Sequence, residues 1–207
     1  MPTDRALRIA AARLWTYPLW RAVTRSAAGE IVAYEVDRWI ECIGDDGLRR
    51  LQPYARFAYL AAALPEFRTL LHYRLRGSPS AVRLVLRAVY RPAPSLLLDA
   101  KFIGQGLFVQ HGLATVVSAE QIGRDCWINQ QVTVGYDRRG RPTIGDHVRI
   151  GAGAVVVGNI TVHDGATVGA NATVVHDVPA GQTVVAPLAR PLILPTSTDD
   201  QGRASTS

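Results

Sequence analysis

Cysteine and lysine are nearly missing: the 207-residue chain holds two cysteines, Cys42 and Cys126, and one lysine, Lys101. Two cysteines cannot build the disulfide framework of a small secreted fold, so the cytosol is the expected compartment. Long apolar runs are lacking too. The longest, residues 57–64, is bounded by Arg56 and Pro65 and falls short of the ~18 residues of a membrane span. No signal-peptide pattern opens the chain. With lysine so scarce, the net charge of +6 rests on arginine. No recognition motif or interleaved aromatics accompany that charge, so nucleic acid is not an expected partner. Solvated arginines or a phosphorylated small molecule account for it more simply.

What the chain does have is a ladder. Ile144, Ile150, Val156, Val162, Val168 and Val174 stand six apart without a miss. With about one residue in four being Ile, Leu or Val, chance gives this on the order of once in several thousand frames. A helix repeats near 3.6 and a half-buried strand at 2, whereas a fixed period of six marks a parallel β-helix of hexapeptides. The ladder runs back through Ile122, Ile128 and Val134, resuming at Ile144 after a loop over 135–143, and earlier through Ile103 and Val109, with a one-residue slip to Val116 that contains His111. Glycine follows many anchors, as expected where a strand must bend sharply. Two residues before the anchors stand Cys126, Val132, Val148, Ala154, Ala166 and Ala172, small or β-branched residues suited to a second inward position. Cys126 therefore reads as packing, not as a nucleophile.

Three six-residue faces closing one coil give roughly four coils between residues 97 and 178, at ~4.8 Å per step. Each coil buries the apolar face of the next, and the flat outer faces suit a cyclic homo-oligomer. The first 92 residues differ. Apolar residues at helical spacing mark helices over 7–20, 31–43, 48–64, 67–75 and 82–90, punctuated by Pro18, Gly44, Pro65, Gly77 and Pro79. Trp15, Trp20 and Trp39 read as core or subunit contacts of this part. Residues 1–92 are thus expected as a helical domain, 93–180 as the β-helix and 181–207 as an extension whose end, 195–207, has a disordered composition.

The residues Gly106 to Gly112 around His111, then Ile122-Gly123, Gln131 to Gly135, Pro142 to Asp146, Ile150 to Ala154, Val168 to Ala170 and Asp177 to Gly181 resemble the serine acetyltransferase family of hexapeptide-repeat acyltransferases. More narrowly, they are similar to its members from bacterial polysaccharide gene clusters. The resemblance covers about residues 67–190. It implies a left-handed parallel β-helix, a homotrimer with a dimer of trimers left open, acetyl-CoA as donor, and sites between neighbouring helices. It also implies that His111 is the catalytic residue. Acyl transfer to a hydroxyl needs a base, and imidazole, with an ordinary pKa of ~6.5, is suited to that role. The resemblance further places Gly135 and Tyr136 near the thioester, Ala152 and Ala170 along the pantetheine, and Arg190 at the phosphates.

The chain departs from the family around the acceptor. An aspartate before the histidine is replaced by Gln110, an Arg-His-Pro by Gly140-Arg141-Pro142, an upstream acid by Leu96 with Asp99 three residues on as a substitute, and a helical-domain acid by Leu51. An amino-acid acceptor needs an anion for its ammonium, and a missing partner typically costs ~1–3 kcal/mol. The expected function is therefore acetyl-CoA-dependent O-acetylation of a sugar or another small hydroxyl compound, with Gln110, Arg141 and Asp99 as candidate acceptor contacts. A divergent serine O-acetyltransferase and a non-catalytic trimeric scaffold are the alternatives. No histidine pair has the five-residue spacing of β-helical zinc enzymes, so no metal is expected.

Overall fold

The computed structural model describes residues 4–190; the expectation for 195–207 lies outside the described residues. Six α-helices precede fourteen short strands. The helices are α1 (Asp4–Thr24), α2 (Gly29–Ile43), α3 (Asp46–Arg49), α4 (Pro53–Ala63), α5 (Pro65–Arg74) and α6 (Ser80–Val89). Two details differ from the sequence expectation. Helix α1 continues through Pro18, which lies on its exposed face, so the carbonyl deprived of its donor is left to water. The helix expected over 48–64 is two, because Pro53 starts α4 after an extended Gln52. Among the described residues no helix is long and apolar enough to cross a membrane.

The strands wind as a left-handed parallel β-helix. Sheet A stacks β1 (Leu96–Leu98), β4 (Thr115–Val117), β7 (Thr133–Gly135), β10 (Val155–Val157) and β13 (Thr173–Val174). Sheet B stacks β2 (Phe102–Ile103), β5 (Gln121–Ile122), β8 (Thr143–Ile144) and β11 (Thr161–Val162). Sheet C stacks β3 (Phe108–Val109), β6 (Trp127–Ile128), β9 (Arg149–Ile150), β12 (Thr167–Val168) and β14 (Thr183–Val184). Five strands in A and in C make five coils rather than four, the missing B strand of the last being marked by the Val162–Val178 bridge. Strand β14 lies past residue 180.

Every hexad anchor from Ile122 to Val168 is at most 1% exposed, and the small residues two before them are equally buried. One anchor was misplaced. Val117 pairs with Val134 and is buried, whereas Val116 is 39% exposed. A run of three β-branched residues, Thr115-Val116-Val117, has no internal mark of which side faces in; the pairing register decides. The corner between β3 and β4 is consequently two residues longer than its counterparts between sheets C and A, whereas that between β4 and β5 matches the one between β1 and β2.

The glycines after the anchors, Gly135 apart, have a different cause from bending. Gly123 is not in the left-handed region, but a Cβ there would stand 2.5 Å from the Gly145 backbone carbonyl and 2.3 Å from Asp146 Oδ1. Close approach of successive coils, not backbone curvature, demands glycine. Turning is done instead by left-handed residues, at Gly106, Asp125, His147, Gly165 and Gly181 between sheets B and C, and at Gln131, Gly153 and Asn171 between C and A.

The helical region docks on the first coil. Trp39 Nε1 donates to Leu107 O at 2.8 Å, and its ring meets Phe67 and Phe108 edge-on. Tyr34 donates to Asp125 at 2.9 Å. At the centre Arg74 grips the buried Glu35 through Nε and Nη2 and donates to Ile103 O and Gly104 O, both at 2.6 Å. Burial raises the Glu35 carboxyl above its ordinary value, with Arg74 pulling it back.

Gly123→Ala is expected to lower stability by ~1–3 kcal/mol through overpacking against the next coil, read from thermal unfolding. Arg74→Met strands a fully buried carboxylate and should remove ~3–5 kcal/mol, or lose folded yield altogether, while Arg74→Met combined with Glu35→Leu recovers much of that loss.

Candidate active site

His111 opens the enlarged corner between β3 and β4. It is exposed and left-handed, with φ 53°, and Ala114 in the same corner is left-handed as well, with φ 50°. Single left-handed residues recur at the other corners; two in one corner mark this one as irregular. The corner is held from both sides. The Leu113 N–H donates to His111 O, Gln131 N–H donates to Leu113 O at 2.8 Å, and Gln110 N–H donates to Ile128 O at 2.8 Å. The Gln110 side chain accepts from Trp127 Nε1 at 3.2 Å. The His111 imidazole itself has no hydrogen-bond partner among the described residues.

A cleft of about 460 Å³ lies between this corner and the helices. Phe108, Val109, Gln110 and His111 form one wall; Trp39 and Cys42 from α2, Tyr59 from α4 and Glu66 from α5 stand on the other. Burial pushes the Cys42 thiol above its usual range and that of Cys126 up to about 12, so both are held as thiols at neutral pH. His72, outside the cleft, lies 2.7 Å from Tyr90 O, and burial lowers its pKa. Among the described residues no group of three or more His, Cys, Asp or Glu side chains is placed to hold a metal ion.

The candidate residues fall on two edges of the prism. His111, Ala152 and Ala170 lie on the edge between sheets C and A, at successive heights: Ala152 two coils and Ala170 three coils from the His111 corner. The carbonyl of Ala152 accepts from Asn171 N–H within the stack, but neither alanine N–H is used by the backbone of the described residues. Gly135, Tyr136, Arg141 and Asp99 lie on the edge between A and B. There the loop over 136–142 folds back so that Arg141 pairs with Asp99 at 3.0 Å, donates to Asp99 O at 2.9 Å, and sits 5.4 Å over the Tyr136 ring. Within the protomer Asp99 therefore lies on a different edge from His111. Its carboxylate is taken by Arg141 and by Ser118, which donates to it at 3.3 Å. Arg190 is exposed beyond the last coil. Glu66, which sequence reading passed over, is the acid that does reach the cleft.

Comparison with known proteins agrees with this geometry. Residues 141–176 match the bacterial transferase hexapeptide (six repeats) family. A serine acetyltransferase of Helicobacter pylori (strain ATCC 700392 / 26695) is 37% identical over 142 residues, 61% of this chain and 80% of that protein. One from Staphylococcus xylosus is 43% identical over 88 residues, 40% of this chain and 41% of that protein. Among solved structures, soybean serine acetyltransferase complexed with serine superposes with a TM-score of 0.60 at 28% identity, over 82% of this chain and 72% of that one. Neisseria gonorrhoeae serine acetyltransferase in complex with serine gives 0.60 at 25%, over 84% and 73%. The chain belongs to the serine acetyltransferase-like family of hexapeptide-repeat proteins, and it is an acyltransferase. These relatives favour the amino-acid acceptor over the sugar that the sequence reading preferred.

Because the Asp99 carboxylate is already engaged by Arg141 and Ser118, Asp99→Asn should leave the pH dependence of acyl transfer unshifted. An exposed pair of this kind contributes at most ~1 kcal/mol, so the unfolding temperature should move only slightly. A displaced pH–rate profile would restore Asp99 as the partner of His111.

Proposed function

We propose that this protein is a serine O-acetyltransferase that moves the acetyl group of acetyl-CoA to the hydroxyl of L-serine, with His111 as general base. The observation that carries the reading is the free imidazole of His111 in an irregular corner, facing a cleft walled by the helical region. His111 takes the hydroxyl proton as the serine oxygen forms its bond to the acetyl carbonyl carbon. The C–S bond breaks, and the imidazolium returns the proton to the departing thiolate. No covalent enzyme intermediate is required, and a positioned base of this kind contributes ~10²- to 10⁴-fold.

The donor fits the edge below His111. The N–H groups of Ala152 and Ala170 are backbone donors unused by the backbone of their own stack, available to the amide carbonyls of a pantetheine arm laid along the corner. Arg190 beyond the last coil is a candidate for the phosphates. Gly135, Tyr136 and Arg141 lie on a different edge of the same protomer, so they meet this arm only across a contact between copies. Two complementary patches on different edges are what a cyclic head-to-tail assembly joins, which supports the homotrimer. The outward residues of sheet A, including Leu97 at 52% and Val116 at 39% exposure, supply apolar surface for that contact.

The test is a thiol-release assay with acetyl-CoA across L-serine, neutral sugars and nucleotide sugars, run with the wild type and His111→Ala. Serine is expected to be the best acceptor. The variant is expected to lose ~10²-fold or more in turnover while keeping its fold and its affinity for CoA. Turnover surviving the substitution would remove His111 from the mechanism, and sugars outrunning serine would overturn the acceptor.

A further inference from the structure

The family's acids for an amino-acid ammonium are absent here, Gln110 and Leu51 standing in their places, yet the cleft beside His111 contains a carboxylate. Glu66 is the second residue of α5, and its side chain runs directly over the residue after His111: a Cβ on Gly112 would stand 3.0 Å from Glu66 Cγ. Glu66 and His111 line the same cleft, and Glu66 is partly buried. Among the described residues it makes no ion pair and no side-chain hydrogen bond.

The other polar groups facing the cleft are of a different kind. The oxygen of the Gln110 amide is taken by Trp127. Cys42 is held as a thiol. Tyr59 contributes a phenol. Among the described residues no arginine or lysine lines the cleft, and Glu66 is its one fixed charge. A half-buried, unpaired carboxylate a residue away from the base attracts a cation presented next to the hydroxyl that the base deprotonates.

We propose that Glu66 is the specificity-determining residue of this enzyme, and that it binds the ammonium of an amino-alcohol acceptor while His111 deprotonates its hydroxyl. The assignment rests on His111 as the base and on the acyltransferase activity, but it asks only for a cation beside the hydroxyl and not for serine itself. Gly112 belongs to the same device, because any larger residue there would push Glu66 away.

The experiment compares wild type, Glu66→Gln and Glu66→Asp with acetyl-CoA and three acceptors: L-serine, ethanolamine and 3-hydroxypropionate, the last lacking the amine. Loss of a charged hydrogen bond predicts that Glu66→Gln lowers kcat/KM for the two amines by ~10- to 100-fold, mainly through KM. The value for 3-hydroxypropionate should hold or rise, CoA affinity should be unchanged, and Glu66→Asp should recover part of the loss. Equal losses for all three acceptors would make Glu66 a positioning or structural residue and overturn the proposal. So would unchanged kinetics, or a wild type that turns over no amine-bearing acceptor. Ethanolamine used well and serine poorly would overturn the serine reading while leaving Glu66 in place.

Discussion

Close stacking of one coil on the next is the constraint from which the rest of this structure follows. It favours small inward residues two before many of the anchors, where Cys126, Ala154 and Ala166 are fully buried. It also requires glycine where successive corners touch, as at Gly123 against Gly145. Both are steric demands on single atoms, and together they turn a run of two- and three-residue strands, each too short to persist alone, into a continuous core. The corner that holds His111 exists as an exception to the same rule. Two additional residues between β3 and β4 cannot be taken into the stack, so they loop outward and carry His111 with them.

The helical region turns that exposed corner into a site. Helix α2 anchors it to the first coil directly through Trp39, on Leu107 O and the Phe108 ring, and indirectly through Glu35, which holds Arg74 on the Ile103 and Gly104 carbonyls, and α5 follows closely enough for Glu66 to lie over Gly112. A β-helix alone would present His111 to open water. With the helices docked, the imidazole lines a cleft of mixed apolar and anionic character.

Much of this was legible in the sequence, because the six-residue period is a direct record of which side chains point inward. The ladder from Ile144 to Val174 gave the prism, and its interruption pointed to His111. Legibility stopped where period and pairing part company. In Thr115-Val116-Val117 only the register with Thr133 and Val134 shows which valine is inside. Pro18 marks a break only if its face is buried, and it is exposed. Asp99 looked available by proximity along the chain, but Arg141 from a loop two coils away claims it. Glu66 left no periodic trace. It stands in a helix whose apolar residues face the core, and only the docking of that helix on the first coil brings it to the cleft. A hint was present in the neighbouring pair Pro65-Glu66, an ordinary helix start whose acid sequence reasoning assigns to the helix itself.

The edge that carries His111, Ala152 and Ala170 also works as a ruler. Its graduations are peptide spacings, ~4.8 Å each, and they do not depend on side-chain identity. Distances along it come in whole coils, three from the His111 corner to Ala170. Point substitutions in the core can soften this gauge but cannot rescale it; only gaining or losing an entire turn of the spiral changes the distance from His111 to the far end of the edge.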